Sequence, residues 1–415
     1  MKILAIDTSS KICSVAISDD LKNIIELHND DEKTHSVKLM PMINEAFTQT
    51  SLTLDDINLL VCSIGPGSFT GVRIGIATIK AFADVKNIPV VGVSSLESLA
   101  YNVVADLPQI LSENSKSIDI TPSTLKRTLI CSLIDAKNEN VYCGLYSVSD
   151  NLKECEQILI FTDTISVAID KIKASADDFD NIIFVGDGAL VYKDIILQEK
   201  ALTNNMSNTP KQFSICFVCE EKNFQNSISL ALAGFSKYKN GQFGDSSSLS
   251  PLYLRKSQAE RALEEKIEIT HMRTEDIETI SPIFSTQFDQ FWNINNLKND
   301  FENSNATYFV ARLDDEIVGF AGFLKILDEA NIMNIVTKID KRSLGIGSKL
   351  LEKLILSAKE QNCKSITLEV NAKNYTAIHL YEKFNFKRIG LRKKYYNNTD
   401  DAILMSINLL QFTAY

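Results

Sequence analysis

Arg342-Ser343-Leu344-Gly345-Ile346-Gly347 follows the apolar stretch 331–338 and opens the amphipathic run Ser348–Lys359. The order is strand, glycine turn, helix. Two glycines two residues apart at a helix start let backbone approach a ligand closely, and the first helical N–H groups have no partner within the helix. Those donors and the helix dipole suit a pyrophosphate, and Lys341 and Arg342 add positive charge beside them. Working outward, the pattern predicts a strand at 267–273, helices at about 274–286 and 294–303, and strands at 307–313, 316–326 and 331–338. It continues with a helix at 345–361, a strand at 364–370, a helix at 374–384, and strands near 386–396 and 402–409. This is an α+β unit over 267–415.

A second motif lies downstream: Leu368-Glu369-Val370-Asn371-Ala372-Lys373-Asn374, then Ala377-Ile378-His379-Leu380-Tyr381-Glu382. A carboxylate at a strand end can take a proton from an ammonium group, directly or through water, and a tyrosine on the next helix can return one to a leaving thiolate. Each residue also has a structural explanation, Glu369 as an exposed strand position and Tyr381 as helix core. Their joint appearance after a glycine-rich helix start favours chemistry. Cys363, the only thiol of this region, has no histidine nearby in sequence, which argues against a covalent route through it.

Residues Arg342 to Met405 resemble the RimI family of GNAT enzymes, which acetylate the N-terminal alanine of a small-subunit ribosomal protein. The matching features are Arg342-x-x-Gly345-x-Gly347, Leu368-Glu369-Val370, Asn374, Ala377-Ile378-x-Leu380-Tyr381-Glu382, Gly390-x-Arg392-x-x-Tyr395-Tyr396 and Asp401-Ala402. The resemblance implies a GNAT N-acyltransferase fold, acetyl-CoA as donor, Glu369 as base and Tyr381 as acid. Cofactor contacts are expected from Ile335 and Val336 at the strand end, from Arg342, Ser343, Leu344, Gly345, Ile346 and Gly347, and from Asn374 toward the pantetheine arm. A neutral amine would attack the thioester directly, with strand N–H groups near Val336 stabilising the oxyanion. Asn371 and Lys373 depart from the family's Arg and Ser. Asn385 replaces a Gly, and Phe291-Trp292-Asn293 replaces a Pro-Trp-Ser-like segment, which bears on substrate choice.

The whole chain has 415 residues, enough for two or three cores. Hydrophobic content of 45% and charged content of 23% are those of a globular protein. Asp7 and the lack of a small-residue cleavage site argue against a signal peptide, and no apolar run approaches the ~18 residues of a membrane span. A cytoplasmic protein is expected, with no membrane partner. The eight cysteines are scattered and not spaced as a framework. Cys216-x-x-Cys219 lacks a second pair or suitably spaced histidines, so no metal is expected. Residues 1–260 hold 23 Lys and Arg against 32 Asp and Glu, while 261–415 hold 20 against 21. An acidic first part binds nucleic acid poorly alone, so any tRNA would be engaged only indirectly, through a partner.

That first part reads as α/β. Lys2–Asp7 and Ile12–Ser18 form a hairpin, and a helix follows from about His35 to Thr48. The strand Leu59–Ile64 runs into Gly65-Pro66-Gly67-Ser68-Phe69-Thr70-Gly71 and a second helix. Strands are expected at Val90–Val93, Thr128–Asp135, Asn140–Tyr146 and Ile182–Val185. Residues 105–128 read as a loop or insertion, 200–226 as irregular and 256–266 as a charged linker. The opening hairpin resembles that of the actin/Hsp70-like (ASKHA, RNase H-like) superfamily. With Gly65–Gly75, His35-Ser36, Asp135-Ala136-Lys137 and Tyr253-Leu254-Arg255, residues 1–260, apart from the insertion 105–128 and the variable 196–230, resemble TsaB, the dimerisation subunit of the machinery that makes threonylcarbamoyladenosine in tRNA. Two subdomains, 1–104 and 105–255, are implied.

The catalytic paralogue, TsaD, holds a metal through H-x-x-x-H; here Ser95 and Leu99 stand at those places, and leucine is no ligand. A non-catalytic unit is therefore implied, one that docks a TsaD-like catalytic subunit and its associated ATPase. An apolar stripe with Leu39, Met42, Ile43 and Ile76, joined by Arg73, is the expected docking surface, unless the stripe faces its own sheet. The rival assignments are an active metallohydrolase-like first domain and an acetyltransferase acting on a small-molecule amine.

Overall fold

The computed structural model describes residues 1–20, 22–30, 35–104, 106–114, 121–149, 154–198, 214–255, 258–288, 294–396 and 399–409. Contacts divide the chain into two units, Met1–Arg255 and Lys256–Tyr415.

The apolar run Lys2–Asp7 is β1, buried from Ile3 to Asp7 as a central strand must be. It pairs antiparallel with β2 (Cys13–Asp19) and parallel with β4 (Leu59–Ser63). With β3 (Lys22–Asn29) and β5 (Val90–Val93) the sheet order is β3-β2-β1-β4-β5. A second sheet is built from β6 (Thr128–Asp135), β7 (Asn140–Val148), β8 (Cys155–Thr164), β9 (Asn181–Val185) and β10 (Ser214–Phe217). Its order, β8-β7-β6-β9-β10, repeats the first, with the same antiparallel and parallel pairs. The unit is therefore a duplicated α/β architecture, as the actin/Hsp70-like resemblance implied.

Its helices are α1 (His35–Thr50), α2 (Phe69–Lys86), α3 (Ser95–Val104), α4 (Leu107–Asn114), α5 (Pro122–Lys126), α6 (Ile165–Ala174), α7 (Asp187–Val191), α8 (Lys193–Gln198) and α9 (Ser227–Lys239). All ten residues of α3 are buried; Tyr101 serves the first sheet's core, and Leu96, Leu99 and Val103 serve the second's. Residues 105–128 are not simply a loop, because α4 and α5 place Leu107, Ile110, Leu111 and Leu125 in that second core. The expected second subdomain, 105–255, is not contiguous in space. Helix α9 returns to the first sheet, where Leu230, Ala231 and Phe235 join Ile3, Ala5, Val61 and Val91. Ser214–Phe217 is a strand within the expected irregular stretch 200–226, of which 200–213 lie outside the described residues.

The proposed docking stripe is corrected here. Leu39, Met42, Ile43 and Ile76 are buried in the core between α1, α2 and the first sheet. The outward positions are Val37 and Met40 on α1 and Val85 on α2, which are 67%, 50% and 73% exposed. The glycine-rich segment has a packing cause. A Cβ on Gly67 would overlap the Ser9 carbonyl, one on Gly71 the Thr8 carbonyl, and one on Gly75 would lie 2.5 Å from Thr8 Oγ1. Three glycines four residues apart thus seat α2 on the β1–β2 turn, where Thr8 Oγ1 donates to Gly71 O at 2.7 Å.

In the second unit, β11 (Ile267–His271), β12 (Ala306–Leu313), β13 (Glu316–Ile326), β14 (Glu329–Thr337), β15 (Ser365–Asn371), β16 (Lys387–Tyr396) and β17 (Asp400–Asn408) form one sheet of order β11-β12-β13-β14-β15-β17-β16. It is preceded by α10 (Gln258–Lys266), so most of the expected linker is helical, and Leu263 packs on the unit's larger core. Helices α11 (Thr274–Ile280) and α12 (Ile294–Phe301) cover one face through Ile277, Ile280 and Leu297. Helices α13 (Ile346–Glu360) and α14 (Tyr375–Lys383) cover the other through Leu350, Leu354 and Ile378. Among the described residues no helix is long and apolar enough to cross a membrane.

Two substitutions test this packing by urea unfolding of the full chain. Gly71→Ala forces a methyl against backbone and is expected to lower stability by about 1–3 kcal/mol or more. Leu39→Ala leaves a core cavity worth about 2–5 kcal/mol, whereas a docking residue would leave the isolated chain's midpoint unchanged.

Candidate functional site

Strands β14 and β15 are parallel and paired from Glu329↔Ser365 to Ile332↔Leu368. Beyond that point β14 continues to Thr337 and β15 to Asn371, and the ladder between them stops. On its other edge β14 remains paired with β13, across an irregularity at Gly322/Phe323. The last residues of β14 therefore have a strand neighbour on one edge only. The parted strands form a cleft whose β14 wall carries free backbone valence, including the predicted Ile335 and Val336. Val336 is buried and Ile335 partly so.

The loop Arg342–Gly347 follows that wall and leads into α13. Ser343 and Gly345 have φ of 66° and 81°. Gly345 is the N-cap of α13, with no side chain capping the first turn. A Cβ on Gly347 would meet only Leu380 Cδ2 and Thr337 Cγ2, at 3.5 and 4.0 Å, so the backbone is open at Gly347, whereas the Glu264 carboxylate lies against Gly345. These features fit a pyrophosphate: uncapped N–H donors, a helix dipole and an approachable backbone. Arg342 directs Nη2 to Phe288 O at 3.4 Å. Asn374 is the N-cap of α14 and accepts from Ala377 N at 3.1 Å, so its carbonyl is engaged in the helix start.

Glu369 and Tyr381 take different positions around the cleft. The alternation along β15 puts Ile366, Leu368 and Val370 in the core and turns Thr367, Glu369 and Asn371 to the opposite face. Tyr381 belongs to the Leu368 side, buried and tilted against Phe386 at 5.9 Å between ring centres. Burial, and secondarily the nearby Tyr396, raises its phenol above the ordinary tyrosine value, so it stays protonated. The Glu369 carboxylate is paired with Arg392 Nη1 at 2.7 Å. Tyr395 hydrogen-bonds to the same carboxylate, which raises its own pKa. Tyr396 donates to Glu369 O at 3.4 Å and is pushed up to about 12, by burial first and the Glu369 charge second. Tyr396 thus lies near both predicted catalytic residues.

The roles of Arg392, Tyr395 and Tyr396 were not predicted, although the motif containing them was; only the β16–β17 pairing reveals that they reach Glu369. Asn334 carried no sequence signal. It is buried on β14 beside the parting of the strands, gives Nδ2 to Tyr308 Oη at 3.3 Å, and its Oδ1 has no partner. Phe291-Trp292-Asn293 lies outside the described residues.

In the first unit, Ser95 is buried with its hydroxyl 2.8 Å from Ser63 Oγ, and Leu99 is core. Asp7 is fully buried; one oxygen accepts from Ser9 N at 2.8 Å and Ser9 Oγ at 2.6 Å, and burial raises its pKa. Cys216 is buried and Cys219 exposed. Among the described residues no group of three His, Cys, Asp or Glu is placed to hold a metal. Arg73 is exposed, donating from Nε to Tyr253 Oη at 2.7 Å beside the stacked pair Phe69 and Tyr253.

Comparison with known proteins matches both units. The family model described as tRNA N6-adenosine threonylcarbamoyltransferase covers residues 26–263, and that of the acetyltransferase (GNAT) family covers 276–386. The tRNA threonylcarbamoyladenosine biosynthesis protein TsaB of Bacillus subtilis is 28% identical over 54% of this chain and 88% of its own length. A putative ribosomal protein bS18-alanine N-acetyltransferase of the same organism is 32% identical over 35% of this chain and 97% of its own. An uncharacterized protein of Mycobacterium leprae is 27% identical over 97% of this chain and 98% of its own, so the two-part architecture recurs. Over its first unit the chain belongs to the family described as tRNA N6-adenosine threonylcarbamoyltransferase, where it is similar to TsaB, and over its second to the RimI-like GNAT acetyltransferases.

Proposed function

We infer that the second unit transfers acetyl from acetyl-CoA to the N-terminal α-amine of a protein, an alanine of a small-subunit ribosomal protein being the acceptor class. The observation that carries this is the cleft between β14 and β15, with an uncapped helix start at its end and a carboxylate on its β15 wall. When bound, acetyl-CoA supplies the activated acyl group and a thiolate leaving group. Gly345, Ile346 and Gly347 would hold its pyrophosphate, and Ile335 and Val336 would line its pantetheine arm. Glu369 faces the side on which an amine must approach and would take its proton. The Arg392 guanidinium now paired with that carboxylate would give way to the incoming ammonium. Tyr381, held protonated by burial, would donate to the leaving sulfur. Asn334 Oδ1 is a spare acceptor for the substrate's own N–H groups.

The first unit we read as a non-catalytic subunit that docks a TsaD-like catalytic protein and, through it, the associated ATPase and tRNA. The burial of Ser95 and Leu99 supports this, since neither side chain is free to bind a metal. The docking face is revised to the outward side of α1 and α2, with Val37, Met40 and Val85; Arg73 at the start of α2 can border it. A small-molecule amine as acceptor is the rival, and competition between spermidine and an alanine-starting peptide separates the two.

Glu369→Gln and Tyr381→Phe are each expected to cut kcat for peptide acetylation by about 10²-fold with an unchanged melting temperature. Full activity in both would remove the site assignment. Because Tyr381 must stay protonated and its pKa is raised, kcat should show no alkaline loss below the ordinary tyrosine value of about 10. A descending limb at lower pH that persists in Tyr381→Phe would exclude it as the acid. The double variant Val37→Asp, Met40→Asp is expected to weaken binding of the TsaD-like partner at least tenfold in a titration, on the order of 1.4 kcal/mol or more, and to leave acetyl transfer intact.

A further inference from the structure

Helix α10, which joins the first unit's last residue to β11, does not pass the cofactor loop at a distance. Leu263 packs on the second unit's core, and Lys349 on α13 fastens the helix end by donating from Nζ to Glu264 O and, at 3.1 Å, to Ile267 O. This places the Glu264 side chain on the glycine of the loop. A Cβ built on Gly345 would overlap Glu264 Oε1, with the carboxyl carbon 3.4 Å and Cγ 3.6 Å away. Glu264 is half-buried there. Gly345 is the N-cap of α13. The first helical turn has free N–H donors and positive potential, which a carboxylate satisfies as a phosphate does.

We propose that Glu264 is a built-in competitor for the pyrophosphate of acetyl-CoA, setting how tightly the second unit holds its cofactor. The proposal rests on the cofactor assignment above. A carboxylate and a pyrophosphate cannot share one helix start. Two negative groups would meet where dielectric screening is reduced, so cofactor binding has to expel the Glu264 head from Gly345. The competitor is tethered by Lys349 and Leu263, which keeps its effective concentration high. Because α10 is also the segment that leaves the first unit, any event that strains or frees this helix alters cofactor affinity. Glu264 touches no reacting atom; it acts through occupancy of the loop.

The test measures binding by calorimetry on the full chain, for wild type and Glu264→Gln, with acetyl-CoA and with S-acetylpantetheine, which lacks the pyrophosphate. Removing the charge at constant shape is expected to tighten acetyl-CoA about three- to tenfold at low salt, less at high salt, and to leave S-acetylpantetheine unchanged. In wild type, saturating acetyl-CoA should speed amide exchange across Gln258–Lys266 as the helix is displaced. Equal acetyl-CoA affinities in the two proteins, or tightening of both ligands alike, would overturn the proposal while leaving the cofactor assignment intact. Failure of either protein to bind acetyl-CoA at all would overturn that assignment and the proposal with it.

Discussion

The second unit depends on a ladder that stops. Had β14 and β15 stayed paired beyond Ile332 and Leu368, the backbone groups of Met333 to Thr337 would be spent on a neighbouring strand and no slot would exist. Once the strands part, the same groups become a wall for an extended ligand, the next loop delivers a helix start to one end, and β15 brings Glu369 to the margin. The parting is sustained from both faces. Leu350, Leu354 and Ile378 fill one side, and Phe288, Phe320 and Val336 fill the other, so the strands are held at their angle by cores.

The first unit solves a different problem by close contact. Helix α2 and the turn before it sit so near the β1–β2 turn that Gly67, Gly71 and Gly75 have no room for a side chain. The motif is thus explained by packing: Thr8 and Ser9 backbone lies where the Cβ atoms of Gly71 and Gly67 would be, and the Thr8 side chain where that of Gly75 would be. Beside this contact one oxygen of the buried Asp7 accepts from Ser9 N and Ser9 Oγ, while the other is buried without a partner among the described residues.

What was legible in the sequence follows from how strongly each segment is constrained. Strands buried on both faces, such as Lys2–Asp7 and Thr128–Asp135, show as continuous apolar runs and were readable. The edge strands β3 and β8 have mostly exposed or half-exposed residues, so neither alternation nor a run marks them. On α1 the apolar residues Val37, Leu39, Met40 and Ile43 surround more than one face, and hydrophobicity alone does not say which side meets the sheet. Leu39 and Met40 are neighbours in sequence and both apolar; packing separates them into buried and exposed. The glycine loop at a helix start, Glu369 on a strand and Tyr381 on the following helix were legible from the local pattern. Arg392 and Asn334 were not, since their parts in the site arise from pairing between distant strands.

The charged segment between the units shows the same limit at its sharpest. Gln258–Lys266 reads as a linker because it carries few apolar residues, and one leucine is enough to seat it. Composition describes what a segment would do in water, whereas Lys349 and Gly345 decide what it does here. A glutamate that looks like solvated surface becomes, through its neighbours, a charge placed on an anion site.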